Sequence, residues 1–411
     1  MDARRLVVAL SLLSLGIGCG ARSGLDPGAE DEGRERPDAA VPDASDADRP
    51  LPPPAEPPPP PPPGRRALRV VAGVHHACLL DESGGVRCWG SNRRGSLGLD
   101  EAVRGRPRPI EVEGIAPLVA LAGGHSHTIG IDAEGRLWGW GSSANGQLLH
   151  PVRGPAPPGL VSGLELPPAA GVAAGDAETC VRFVDGEIRC WGRRYSLRAG
   201  PMIGPEGRPM LDDAVELAGG LGHYCGVDGD GRPLCWGQNE RGEIGLPAGS
   251  RVHEPRPLPG VPRVDQLALG FAHSCARLGA EVWCWGDNGH GECGVPEPDL
   301  VPPTRVEGLP SNVATLFAGW SATCAILETG RVLCWGENGY GQLGDGTRIG
   351  RVAPTEVRFA PGVRVVQMAA GANFACAVDD EGRVWCWGDN ARGQLGDGTE
   401  EDRLVPVPVA L

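Results

Sequence analysis

The stretch Trp385-Cys386-Trp387-Gly388-Asp389-Asn390-Ala391-Arg392-Gly393-Gln394-Leu395-Gly396-Asp397-Gly398-Thr399 returns in altered form along most of the 411-residue chain. Its Trp-Gly anchor stands at Trp89, Trp140, Trp191, Trp236, Trp285, Trp335 and Trp387, at intervals of 51, 51, 45, 49, 50 and 52 residues. Seven units at a near-constant period mean that no unit buries its apolar face alone. Neighbouring units then stack to build a shared core.

Outward from the anchor, the seventh unit reads as short apolar strands: residues 365–368, Phe374 to Asp379, and Arg383 to Trp387. If Cys376 faces Cys386, Asp379 faces Arg383 and a three-residue loop remains, whose third residue favours the left-handed backbone that Gly adopts at little cost. Gly382 occupies that place, and Gly84, Gly135, Gly186, Gly231 and Gly330 do so in their own units. In the fifth unit Cys275 and Cys284 are only nine residues apart. There the loop shrinks to Gly279-Ala280, a two-residue turn with Gly first, which keeps the cysteines opposite each other.

The same arithmetic pairs Cys78 with Cys88, Cys180 with Cys190, Cys225 with Cys235, Cys275 with Cys284, Cys324 with Cys334 and Cys376 with Cys386. Unit two has Ile129 and Gly139 instead, so both cysteines are absent together, as paired use requires. The pairs fall at non-hydrogen-bonded positions, where two strands approach closely enough for a cross-strand disulfide. Cys293 has no such mate and stands where unit six has Leu343, which makes it a buried thiol.

After each Trp-Gly come a polar loop, Gly-Gln-Leu-Gly or a variant, and Pro-rich residues leading to another short strand such as residues 354–357. Four short strands per unit make a propeller blade. The expected fold is all-β, a seven-bladed propeller of four-stranded blades over residues 67–411. Val405 to Val409 at one end and Leu68 to Gly73 at the other are expected to complete one blade together, closing the ring by pairing the N- and C-terminal strands.

The motifs Ala-Gly-x-x-His-x-Cys in unit five and Trp-Gly-x-Asn-x-x-Gly-Gln-Leu-Gly-Asp-Gly-Thr in units six and seven resemble the regulator of chromosome condensation repeat family. That resemblance implies a seven-bladed propeller and structural histidines at His76, His127, His223 and His273. Unit three departs from the pattern, because Arg193-Arg194-Tyr195-Ser196 follows its Trp-Gly and no Gly-Gln-Leu-Gly appears.

The chain carries a formal charge of -14, and all 38 of its basic residues are Arg. Without Lys there is no Gly-Lys-Ser/Thr phosphate loop, Schiff-base Lys or Ser-Lys pair. The acidic balance argues against general attraction to nucleic acid. Arg4 and Arg5 followed by the apolar run Leu6 to Ile17 read as an export signal too short to span a bilayer. Its end, Leu15-Gly16-Ile17-Gly18-Cys19, resembles a bacterial lipoprotein signal, with Cys19 the lipidated residue. Residues 20–66 turn acidic and then Pro-rich, and the run Pro57 to Pro63 favours polyproline II, a semi-rigid spacer. The expected organisation is therefore a signal (1–19), a tether (20–66) and the propeller (67–411), in a monomer of the cell envelope that meets the membrane through its anchor.

Chemistry is sparse. The four histidines lie in different units and the seven anchor Trp residues read as blade core. Asp345-Gly346-Thr347 and Asp397-Gly398-Thr399 are turn signals lacking the alternating oxygen ligands of a calcium loop. Neither a metal nor a cofactor is implied. The expectation is a non-enzymatic scaffold for a protein partner, presenting Arg93-Arg94, Glu101 to Arg108 and Arg193 to Met210, with Arg193, Arg194 and Tyr195 as the candidate contact. The family resemblance adds two alternatives, guanine-nucleotide exchange on a small GTPase and proteinaceous inhibition of an enzyme.

Overall fold

The computed structural model describes residues 59, 61, 65–149, 154–161, 166–193, 211, 213–249, 251–261 and 263–411. Cys19, Arg194 and Tyr195 lie outside the described residues. Seven antiparallel sheets follow one another along the chain. In blade 1 the strands Ala67–Ala72, His76–Asp81, Val86–Ser91 and Gly105–Glu111 pair in chain order from the inside out. Blade 7 repeats this with Val365–Ala370, Phe374–Asp379, Val384–Gly388 and Arg403–Pro408. Blade 3 shows three strands among the described residues, Ala169–Ala174, Glu178–Phe183 and Ile188–Gly192.

The hairpins follow from their turn residues. Gly84, Gly135, Gly186, Gly231, Gly330 and Gly382 all have φ between 75° and 88°. In blade 5 Leu278 faces Glu281 across Gly279-Ala280, and Cys275 stays opposite Cys284. Six disulfides join the second and third strands within single blades, with Cα–Cα distances of 4.0 to 4.1 Å. Blade 2 keeps the register, with Ile129 opposite Gly139.

Blades are held together by a relay that explains the repeat motif. In five of the seven blades the anchor Trp reaches back to the Gly-Gln-Leu-Gly loop, or its variant, of the blade before. Trp89 Nε1 donates to the Gln394 carbonyl, Trp191 to Gln147, Trp285 to Glu243, Trp335 to Glu292 and Trp387 to Gln342, each at 2.9 Å. The loop Leu, or its substitute, packs into the same seam: Leu395 clusters with Trp89, Leu343 with Trp387, and the buried free Cys293 with Trp335.

The histidines form a second relay. His76 Nε2 lies 3.2 Å from Thr128 Oγ1, His127 3.1 Å from Thr179, His223 2.8 Å from Ser274 and His273 2.9 Å from Thr323, always in the next blade. The hydroxyls of Thr179, Ser274 and Thr323 donate to loop carbonyls at 2.8 Å. They must therefore accept from Nε2–H, which fixes the neutral tautomer in those seams. The remaining seams change both members. Glu178 meets the Tyr224 hydroxyl at 3.5 Å, Ala322 corresponds to Ala375, and Phe374 to Ala77.

The expected mixed blade is not formed. Arg403–Pro408 is the outer strand of blade 7, pairing Trp385 with Pro408, while Ala67–Ala72 is the inner strand of blade 1, pairing Val71 with Cys78. Each unit runs from inner to outer strand, so the strand after an outer one opens a new blade. The chain's ends therefore meet face to face between blades 7 and 1. The Val70 N–H donates to Gln367 Oε1 at 2.8 Å and Gln367 Nε2 returns a bond to the Val70 carbonyl at 2.9 Å. Gln266 of blade 5 makes the same two bonds to Leu316 of blade 6, at 2.9 and 3.0 Å. The closing seam is thus built like an internal one, and Val70, Leu79 and Trp89 share a core with Phe374, Val378 and Leu395.

Candidate functional site: the mouth of the axial channel

Strand direction sorts the loops onto two faces. Hairpins and outer-to-inner connections lie on one. The loops after the inner strands and the Gly-Gln-Leu-Gly loops lie on the other. On this second face every inner strand leads into a Gly preceded by Ala, Gly or Leu, such as Ala72-Gly73, Gly123-Gly124 and Leu269-Gly270, and the seven pairs line the mouth of the central channel. Gly is needed there because a Cβ on Gly124 would collide with the His127 ring and the Gly175 carbonyl. Adjoining blades exchange main-chain bonds around the rim. Among them, His125 N–H donates to the Gly175 carbonyl at 2.9 Å, Asp176 to Leu221 at 2.8 Å and Phe271 to Gly319 at 3.2 Å. Of the side chains one residue past the Gly, Val74 and Ala372 are buried and the other five reach the surface at least in part.

Those side chains divide the rim. On blades 4 to 6 they are Leu221, Phe271 and Trp320. Phe271 is 37% exposed, and its ring lies 5.0 Å from that of Trp320 at a tilt of 53°. An exposed, preassembled aromatic pair of this kind is common at recognition surfaces and rare elsewhere on a soluble surface.

On blades 2 and 3 these side chains are polar, His125 and Asp176, while blade 1 has the buried Val74. His125 Nδ1 lies 2.7 Å from Ser126 Oγ, and Arg193 Nη1 stands 3.9 Å from Asp176 Oδ2. Burial lowers the His125 pKa. Asp176 opposes that shift, and the positive charges of Arg94 and Arg93 add to it. Both arginines sit in the blade 1 loop, which leans over blade 2 and is pinned by Asn92: its Nδ2 donates to the Val103 carbonyl at 2.8 Å and its Oδ1 accepts from Leu97 N–H at 3.0 Å. Arg193, the described member of the sequence-derived trio, stands beside this mouth through Asp176, and its own N–H donates to the Ala177 carbonyl at 3.0 Å.

Other motif residues are structural. Asp345 Oδ1 accepts from Asn338 at 3.1 Å and from the Thr347 hydroxyl at 2.7 Å, and its Oδ2 accepts from Arg351 at 3.0 Å; Asp397 does the same in blade 7. Among the described residues no group of three or more His, Cys, Asp or Glu side chains could hold a metal ion. Sequence reasoning missed Leu221, Phe271 and Trp320. Their signal is present: they occupy the position just after each Ala-Gly-type pair, where the units read Val74, His125, Asp176, Leu221, Phe271, Trp320 and Ala372 without a common residue type.

Comparison with known proteins matches residues 105–411 to the RCC1-like domain and residues 69–96 to the regulator of chromosome condensation (RCC1) repeat. The ultraviolet-B receptor UVR8 of Arabidopsis thaliana is 28% identical over 83% of this chain and 81% of its own. The human regulator of chromosome condensation is 28% identical over 82% of this chain and 75% of its own. Among solved structures, yeast RCC1 (Prp20) bound to Kap60 has a TM-score of 0.69 at 22% identity, covering 85% of each chain. Human WBSCR16 has a TM-score of 0.68 at 22% identity, over 80% of this chain and 94% of that one.

Proposed function

The chain belongs to the RCC1-like propeller family, and on that premise we propose that it is a non-catalytic scaffold that binds a protein through the channel-mouth face while a lipid on Cys19 tethers it to the cell envelope. The observation that carries the binding face is the exposed Phe271–Trp320 pair, held on a hydrogen-bonded collar. Rigid strands supply the platform and the residues that differ between blades gather at one end of it, the arrangement expected where recognition sits on loops. Supporting examples come from relatives: yeast RCC1 is solved bound to Kap60, and Prp20p is described with binding to Gsp1p and histones.

The test is affinity capture from detergent-solubilised envelope with the full chain, comparing wild type with Phe271→Ser/Trp320→Ser. A protein recovered by the wild type and depleted roughly tenfold by the variant is the expected result. Capture that ignores the variant removes the mouth from the reading. Nucleotide exchange on a GTPase, or turnover of a glycan by the purified chain, overturns the scaffold reading itself.

A further inference from the structure

We propose that the channel mouth takes an acidic protein segment, which sets a large apolar side chain against Phe271 and Trp320 and carboxylates against Arg93, Arg94 and Arg193. This rests on the scaffold reading and adds the chemistry of the partner. The charge distribution decides it. In a chain of formal charge -14, three guanidinium groups gather near the rim of blades 1 to 3: Arg193 engages Asp176 at 3.9 Å, and Arg93 and Arg94 act on His125, with Asp100 and Glu101 further along their loop. Across the mouth, Asp287 is occupied by Arg241 at 3.2 Å, so it does not offset the arginines. Phe271 and Trp320 line the channel mouth, and the arginines stand beside it: Asp176, which Arg193 engages, is the neighbour of the lining residue Gly175, and His125, on which Arg93 and Arg94 act, lines the mouth itself.

A single-stranded nucleic acid also combines negative charge with faces that stack on aromatics. The surroundings favour the peptide. The chain's formal charge of -14 opposes a long polyanion, whereas a short acidic segment meets only the arginines beside the mouth. Arg and Trp are also the side chains that most often dominate protein interfaces, and charge complementarity of this kind speeds encounter and selects partners.

The experiment pans a phage library of random peptides against the immobilised full chain, then measures synthetic copies of the enriched peptides by fluorescence anisotropy. Enrichment of a large apolar residue within three positions of two or more Asp or Glu is the expected result. Binding should weaken roughly tenfold in Phe271→Ala/Trp320→Ala and in Arg93→Glu/Arg94→Glu, with unfolding temperatures unchanged. The charge-reversed variant should in turn gain affinity for copies whose Asp and Glu are replaced by Lys. Enrichment of basic or uncharged peptides, or no enrichment, overturns the inference, as does a 20-nucleotide single-stranded DNA that binds the mouth more tightly than any peptide. Acidic peptides whose binding ignores both mouth variants also sink it while leaving the scaffold reading standing, because that reading fails only in the capture and turnover experiments.

Discussion

At the scale of single residues, two sets of buried groups pull stability in opposite directions with pH. Burial lowers the pKa of His76, His127 and His223 to about 3 and that of His273 to about 4, from 6.5. The unfolded chain therefore binds protons that the folded one refuses, and stability falls as pH drops from 6.5 towards 4. Replacing His76 and Thr128 by the pair the chain itself uses at the closing seam, Phe and Ala, should remove that seam's share of the acid loss. The double variant should be more stable than the sum of His76→Phe and Thr128→Ala by about 1 kcal/mol, read from denaturant midpoints at pH 7 and pH 4.5; strict additivity would show that the pair does not act as a unit. The glutamates work the other way. Burial raises the pKa of Glu243 and Glu292, with the nearby Asp287 adding to it, although each carboxylate accepts a main-chain bond at 2.8 Å, from Arg241 and His290 respectively. An acid with a raised folded pKa is most favourable to folding while protonated, so its contribution is lost as pH rises above about 4.3 through the folded value. Blades 2, 6 and 7 carry Gln147, Gln342 and Gln394 at this position. Glu292→Gln should therefore raise the unfolding temperature by about 2 °C at pH 7.5 and by less at pH 4.5. An equal rise at both values would rule out the buried charge as its cause.

At the scale of the element, the hairpin and its cross-link are one device. The turn fixes which residues face each other, and the disulfide uses that register in blades 1 and 3 to 7. Blade 2 offers a direct test, because Ile129 and Gly139 hold the same register without sulfur. Ile129→Cys/Gly139→Cys should form a seventh disulfide on air oxidation, detected by non-reducing peptide mapping. The loop-closure gain is at most roughly 3 kcal/mol, reduced by the Leu148 side chain, which must shift to admit a Cβ at residue 139. Two free thiols in the folded variant would mean that the blade 2 register differs from that of its neighbours. Blade 3 shows the limit of reading elements from pattern. Its strands up to Gly192 follow the repeat, but no Gly-Gln-Leu-Gly follows them in the sequence.

At the scale of the whole molecule, ring closure rests on side chains, buried faces and main-chain bonds such as Gly398 N–H to the Pro107 carbonyl at 2.8 Å, rather than on a shared sheet. Gln367 is the sharpest probe, since it satisfies both main-chain groups of Val70, a residue with no exposed surface. Gln367→Ala leaves those groups unpaired and should cost about 1 to 3 kcal/mol, with faster amide exchange at Val70 than at the equivalent Leu316. Unchanged exchange at Val70 would show that the seam closes by other means. The tether makes a separate prediction: Cys19→Ser should move the protein out of the membrane fraction and abolish acyl labelling, and unchanged fractionation would reject the lipid anchor.

The sequence by itself determined the blade count, the strand order within a unit, the hairpin turns and the cysteine pairs. Each of these follows from short-range rules: a period near 50 residues, Gly where φ must be positive, and cysteines equidistant from a turn. What only the tertiary structure decided involves residues in different blades. The ends meet as packed faces because Gln367 and Val70 lie 297 residues apart and nothing local relates them. Five of the seven anchor tryptophans are seam residues because their indole N–H bonds lead to the preceding blade. The mouth is legible only as a scatter of dissimilar residues after Ala-Gly-type pairs. It takes form when seven inner strands converge on one axis, bringing Phe271 and Trp320 of neighbouring blades together, since lateral convergence of distant loops is set by the curvature of the closed ring rather than by any one unit.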